Sequence, residues 1–325
     1  MKAIYVEKPG GPEVLKYMER PDPKPAADQV LVELKAIGVN FIDIYYRTGF
    51  YKTTMPTILG LEGAGIVIDI GKDVKDFKIS DRVVYTDIFG SYAQKNVVSA
   101  NRLIQLPKEL SFKDGAAAMV QGITAHYLAT TTYPLKKGDI CLVHAAAGGV
   151  GLLLCQVAKL AGAIVIGTVS SEEKAALVKK IGADHAIVYS KKNFNTEVKN
   201  ITDGKGVQVV YDSVGLSTFD KSLDCLAPRG MMVLFGQSSG AVPSFDLNIL
   251  AQKGSLYITR PGISTYIMTR EELLWRANDV FAWIIQGKLK LNINHEFPLA
   301  RAAEAHMALE GRKTTGKILL IPNEL

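Results

Sequence analysis

Over the first third of the chain, apolar and polar positions alternate in short runs: KAIYV, QVLVELKAIGVN, GAGIVIDIG, DRVVYTDI and YAQKNVV. Each is rich in β-branched residues and bounded by Gly, Pro or Asp. This predicts a twisted, partly closed β-domain. From about Tyr133 the period changes, and an apolar strand, a glycine turn and an amphipathic helix recur, as in a parallel sheet covered by helices. CLVHAA is a strand and VGLLLCQVAKLAG a helix. IVIGTV is the next strand, followed by the helix SEEKAALVKKIGA with Ser171 as its N-cap. HAIVYS, VQVVYDSVG, MMVLFGQ and SLYITRP complete six strands, enough for a doubly wound domain.

After Arg260 and Pro261 come a long helix, EELLWRANDVFAWIIQGK, an extended HEFPLA, a shorter helix, ARAAEAHMALEG, and a closing KILLIP. This tail is too short to fold alone, so KILLIP is expected to pair with the N-terminal β-domain. The expected fold class is α/β, with a doubly wound Rossmann domain at residues 126–262 inserted in a β-rich domain made of residues 1–125 and 263–325.

The 48% hydrophobic content of the 325 residues supports real cores, and the 22% charged residues form no long polar tract. The net charge of +6 is spread among nearly as many acids, so it reads as a solvated surface rather than a nucleic-acid footprint. Cys141, Cys155 and Cys225 lie far apart with no CxxC pair, which signals neither a disulfide framework nor a zinc knuckle. MKAIYVEKPGG has no signal-like apolar region, and no run reaches the roughly 18 to 20 apolar residues of a membrane span. A cytoplasmic protein is expected.

Candidate chemistry centres on HAAAGGVG, residues 144 to 151, between a strand and a helix. A helix start offers unpaired N–H groups and a positive dipole end, and glycine lets a diphosphate approach the backbone. The spacing departs from GxGxxG, since Ala146 stands at the usual first glycine, but the strand-to-helix position is the one that fingerprint requires. An acid at the end of the second strand would hold a ribose 2′-hydroxyl and repel a 2′-phosphate. Here that strand ends GTVSS, so Ser170 and Ser171, with Lys174 one turn on and Tyr189 after the third strand, point to NADPH. Glu172 and Glu173 stand close by, as acids do in a first helical turn. His126, His144, His185, His295 and His306 show no metal spacing and read as structural or solvent-facing.

With these residues in view, the chain resembles the medium-chain dehydrogenase/reductase superfamily, specifically its zeta-crystallin-like NADPH:quinone oxidoreductase branch. The resemblance rests on GGPEVL, KAIGVNFIDIYYRTGFY, LGLEGAGIV, the HAAAGGVGLLLCQ turn, VVYDSVG, FGQSSGA, KGSLYITRP and KILLIP, and runs the whole length. It implies a GroES-like catalytic domain and hydride transfer from NADPH to a quinone. Zinc-dependent members carry a Cys in the segment matching GVNFID and a His in that matching LGLEG; this chain has Asn40 and Leu61 there, so no metal is expected. Without a Lewis acid, reduction of an electron-poor quinone or enone needs chiefly positioning.

By the same resemblance, Asn40, Asp43, Tyr45 and Tyr51 line the catalytic cleft, with Gln121 and Thr124 on the facing segment and Tyr51 as the hydroxyl that orients the acceptor or relays a proton. Relatives in this branch often carry Lys where Gln121 stands. The diphosphate falls to Ala147, Gly148, Gly149 and Val150, the adenosine phosphate to Thr168, Ser170, Ser171, Lys174 and Tyr189. The nicotinamide half falls to Ser213, Phe235, Gly236 and Ser238, with Asn40, Thr124, Arg260 and Arg312 also reaching the cofactor. A 2-alkenal or enoyl-type reductase would use the same geometry. Members resembling this family also serve as lens proteins or bind single-stranded RNA, but no aromatic-and-basic platform for stacked bases is evident. A homodimer through the strand in GSLYITR is expected, since an exposed apolar edge invites pairing.

Overall fold

A long strand must share its edges among several partners, and Gln29–Val39 does so. In the computed structural model, which describes residues 1–322, one edge pairs antiparallel with Glu62–Ile70, from Val30 opposite Ile70 to Ile37 opposite Gly63. The other edge is divided: Gln29 to Glu33 pair with Lys95–Ser99, and Ile37 to Val39 with Lys317–Ile321. Register shifts at Leu31/Val32 and Leu34/Ala36 mark the bends that allow this division. The strand of KILLIP is therefore placed beside the last residues before Asn40.

The chain divides into two compact units. The first comprises Met1–Ile123, Ile267–Gly287 and Leu291–Leu325, the second Thr124–Tyr266 and Lys288–Lys290. In the first, a seven-stranded sheet runs Ile293–Pro298, Lys317–Ile321, Gln29–Val39, Glu62–Ile70, Arg82–Thr86, Ile104–Gln105, with Lys95–Ser99 off this path. Its core includes Val32, Leu34, Ile37, Val67, Val83, Tyr85, Tyr92 and Leu320. Helix Ala302–Glu310 connects the parallel strands Ile293–Pro298 and Lys317–Ile321.

The second unit is a six-stranded parallel sheet in the order His185–Val188, Ile164–Val169, Ile140–Val143, Val207–Asp212, Leu226–Leu234, Tyr257–Thr259. The strand order reverses at Ile140–Val143, and a ligand crevice in such sheets opens beyond the strand ends at that reversal. Leu142, Ile166, Val210 and Met232 sit at the centre of the core. The α/β class and the doubly wound sheet expected from the periodicity are those observed.

Two helices fall outside the strand-rich reading of the first third. Phe41–Thr48 buries its polar Asp43 and Arg47, so no apolar stripe betrays it. Phe112–Tyr127 is rich in small residues and buried almost all round in its second half, so no polar face does either. Both carry candidate site residues.

Candidate active site

Four elements meet at Asn40. It is the N-cap of helix Phe41–Thr48, directly after the long strand, and is 5% exposed. Its side-chain Nδ2 donates to Glu62 Oε1 at 2.6 Å, while its Oδ1 accepts from Lys317 Nζ at 3.0 Å and from Gln121 Nε2 at 3.4 Å. Glu62 is fully buried; it forms an ion pair with Lys317 through Oε1 and accepts the backbone N–H of Val120 at 2.6 Å through Oε2. A Cβ on Gly38 would overlap the Glu62 carboxylate, so only glycine leaves room for this pair. Burying two charges is tolerable because each has its partner and further hydrogen bonds. Lys317 had no signal in the sequence, since one cation in an apolar strand reads as an edge residue.

Asp43 is also fully buried. Its Oδ2 accepts from the backbone N–H of Asn40 at 2.8 Å, as in a capping box, and from the Tyr92 hydroxyl at 3.0 Å. Its Oδ1 has no hydrogen-bond partner among the described residues. Burial pushes this carboxyl up to about 7, with Glu62 adding to the rise. Behind it, the Tyr92 oxygen lies 2.9 Å from His306 Nε2, and His306 Nδ1 lies 3.3 Å from Arg47 Nη1. Arg47 is 1% exposed and grips both carboxylate oxygens of Glu310 at 2.7 and 2.9 Å.

The direction of this chain follows from its ends. Arginine only donates, so His306 Nδ1 accepts and its proton sits on Nε2, donating to Tyr92, whose hydroxyl then donates to Asp43. Burial and the Arg47 charge hold His306 down at about 3. Of the two readings the sequence left for His306, structural or solvent-facing, the structural one holds: buried, it anchors Asp43 through Tyr92. A proton cannot be relayed outward along this path, because the guanidinium blocks the acceptor nitrogen.

Tyr45 and Tyr51 come together with ring centroids 5.0 Å apart, joined by a bond from Tyr51 N to Tyr45 O at 3.0 Å. Tyr46, Phe41 and Phe50 extend this half-buried aromatic wall. Asn40, Asp43, Tyr45 and Gln121 thus share one region of the first unit. Thr124, 7% exposed, is one turn beyond Gln121 on the same helix.

In the second unit, helix Gly149–Leu160 starts at Gly148 with no side-chain cap. Gly148 N donates to Ala145 O and Leu152 N to Gly148 O, but among the described residues the backbone N–H groups of Ala147, Gly149, Val150 and Gly151 have no acceptor. Ala145 takes φ 49°, which turns the chain sharply into this cradle. A Cβ on Gly151 would strike Ala145 O and come within 2.8 Å of Ala146 Cα. Donors left without an acceptor at an uncapped helix start fit a diphosphate.

At the end of Ile164–Val169, Ser171 caps the next helix by accepting Lys174 N at 3.3 Å, leaving its hydroxyl hydrogen available. Ser170, Lys174 and Tyr189 are partly or well exposed around it, with Tyr189 N bonded to Val169 O. Glu172 is drawn to Lys191 at 2.8 Å. Thr168 differs: it is 1% exposed, and its hydroxyl is bound to His144 Nδ1 at 2.9 Å. Ser222 donates to Thr218 O, so His144 Nε2–H must donate to Ser222, and Thr168 must donate to Nδ1. The hydroxyl hydrogen of Thr168 is thus spent inside the core.

The loops after Val207–Asp212 and Leu226–Leu234 are organised by a further residue, the acid of VVYDSVG, to which the sequence assigned no role. Fully buried Asp212 accepts Val214 N at 2.6 Å, Gly215 N at 3.1 Å and Thr218 Oγ1 at 2.7 Å. Its carbonyl accepts Phe235 N and Gly236 N, and Ser238 N donates to Ser213 O, which brings Ser213, Phe235, Gly236 and Ser238 together. A Cβ on Gly236 would lie 2.7 Å from Ser213 O. Arg260 follows strand Tyr257–Thr259 in this unit, whereas Arg312 belongs to the first unit, at φ 55° after helix Ala302–Glu310. Among the described residues no three His, Cys, Asp or Glu side chains gather as a metal ion needs; the cation beside Asn40 and Glu62 is Lys317.

A doubly wound sheet with an uncapped, glycine-lined helix start, together with a curled β-unit, defines a dinucleotide-dependent oxidoreductase of two parts. Comparison with known proteins agrees. The profile of the alcohol dehydrogenase GroES-like domain matches residues 26–108, and that of the zinc-binding dehydrogenase family matches residues 149–272. A quinone oxidoreductase of Pseudomonas aeruginosa is 47% identical over 323 residues, covering 99% of both chains. A 2-haloacrylate reductase of a Burkholderia species is 42% identical over 98% of both chains. The crystal structure of Escherichia coli quinone oxidoreductase complexed with NADPH superposes with a TM-score of 0.97 at 47% identity, over 99% of this chain and all of that one. The chain belongs to the quinone oxidoreductase family of the medium-chain dehydrogenase/reductases.

Proposed function

We propose that this protein reduces quinones with NADPH, by hydride transfer that its own side chains position without metal ligands. The observation that carries it is the cradle at Ala147, Gly149, Val150 and Gly151, whose N–H groups have no acceptor among the described residues, followed at the end of the next strand by Ser170, Ser171 and Lys174 in place of an acid. When bound, NADPH supplies the hydride. The cradle would hold its diphosphate, Lys174 and the Ser171 hydroxyl its 2′-phosphate, and the cluster of Ser213, Phe235, Gly236 and Ser238 its nicotinamide half, with Thr124, Tyr189, Arg260 and Arg312 in supporting contacts.

Asn40, Gln121, Tyr45 and Tyr51 would orient the acceptor. The Tyr51 hydroxyl is the group for handing a proton to the reduced product, and Asp43, held near neutral by burial, keeps the helix start rigid through Asn40 N. A second acceptor class, an activated carbon–carbon double bond, is favoured by one observation, the similarity to a 2-haloacrylate reductase. Steady-state NADPH oxidation with benzoquinones against acrolein-like enones and enoyl thioesters decides between them; turnover of the enones alone would overturn the quinone assignment.

We further propose a cytoplasmic homodimer. All three cysteines are free and buried, and among the described residues no helix is long and apolar enough to cross a membrane. Tyr257–Thr259 is a short edge strand with Tyr257 58% exposed, a surface that a second copy would cover.

A further inference from the structure

A carboxamide can sit in either of two orientations that differ only in which end donates, and its neighbours choose. Around Asn40 the choice is made by charges: Lys317 only donates and the Glu62 carboxylate only accepts. The flipped amide would turn its N–H groups toward the ammonium and its oxygen toward the carboxylate, reversing two charge-assisted hydrogen bonds in a site where Lys317 is 2% exposed and Glu62 fully buried. The orientation then propagates. Because Asn40 Oδ1 accepts, Gln121 places Nε2 against it, and among the described residues nothing donates to Gln121 Oε1.

We propose that Lys317 is a positioning residue: with Glu62 it locks the Asn40 carboxamide, and through Asn40 it turns Gln121 so that an acceptor oxygen is presented to a ligand bearing N–H or O–H donors. Resting on the reductase function proposed above, the donor is a hydroxyl of the reduced acceptor. Glu62 holds the lock to the helix at Val120 N, and the room that Gly38 leaves keeps Glu62 in place.

The test compares the full-length protein with Lys317→Met, Lys317→Arg and the double variant Glu62→Gln/Lys317→Met. Three readouts are taken: kcat and KM with 1,4-benzoquinone, NADPH Kd by fluorescence titration, and solvent-exchange protection of the Asn40 Nδ2 resonance. Lys317→Met is expected to lower kcat by ~10-fold or more while NADPH Kd moves by less than ~3-fold, as misorientation near the reacting atoms does. Protection of the Asn40 amide is lost with it, and Lys317→Arg restores both. The double variant buries no unpaired charge; folded, it still lacks the lock and stays slow. A folded double variant with wild-type kcat and a protected Asn40 amide overturns the proposal. If the wild type oxidises no NADPH with benzoquinone, the reductase function fails, and the Asn40 resonance still judges the lock.

Discussion

On its proposed role, Lys174→Ala would remove a charge-assisted bond to a 2′-phosphate, a loss of roughly 1.5 to 3 kcal/mol, or about 10- to 150-fold in NADPH affinity with little change for NADH. Titration with both nucleotides checks it, and equal losses would contradict the role. His306 titrates near 3 in the fold and near 6.5 unfolded, so the folded chain refuses a proton that the unfolded chain takes. Its stabilisation is full above pH 6.5 and is lost as the pH falls toward 3, by roughly 4 to 5 kcal/mol at most. Neutral, buried His144 acts in the same direction. Asp43 acts oppositely: its carboxyl is raised from 3.8 to about 7, so its contribution is full below pH 3.8 and lost as the pH rises through 7. In thermal melts between pH 4 and 8, His306→Gln should flatten the acid limb and Asp43→Asn the rise in cost toward pH 8. An acid limb untouched by His306→Gln would remove that histidine from the account.

Elements show why some of the site was legible and some was not. The strand–glycine–helix unit at residues 140–160 is local: its apolar runs, its turn and its helix start follow one another within about twenty residues, so the pattern alone places the cradle. Gly151→Ala tests that unit. Its Cβ would overlap Ala145 O, where the backbone is already at positive φ and cannot yield cheaply. NADPH binding should fall by at least ~10-fold with a Tm loss of several degrees; a variant with unchanged Kd would show that the cradle is not the diphosphate site. Helix Phe41–Thr48 was hidden for the opposite reason. Its buried face sets Asp43 and Arg47 beside Ile44, and the two polar side chains are accommodated by Tyr92, His306 and Glu310 from distant segments. Gly38→Ala probes the neighbouring element: displacing Glu62 should slow benzoquinone turnover and leave NADPH Kd within ~3-fold, since Glu62 belongs to the first unit and the proposed diphosphate cradle to the second.

For the whole molecule, the edge strand Tyr257–Thr259 predicts assembly. Light scattering should give about twice the chain mass of 35.3 kDa, and Tyr257→Lys, a charge on an edge, should shift it toward monomer. A wild-type mass near 35.3 kDa would remove the dimer. The amino-acid pattern was sufficient for the α/β class, the six strands, the Ser171 cap and the glycine cradle, because hydrophobic period and turn chemistry act over one or two elements. It could not reveal that Lys317 reaches Asn40 across 277 positions, that His306 anchors Asp43, or that the hydroxyl hydrogen of Thr168 is taken by His144. Those are buried polar pairings between segments far apart in the chain. A buried charge or amide has to find its partner wherever folding brings one, and sequence spacing carries no record of which distant residue that will be.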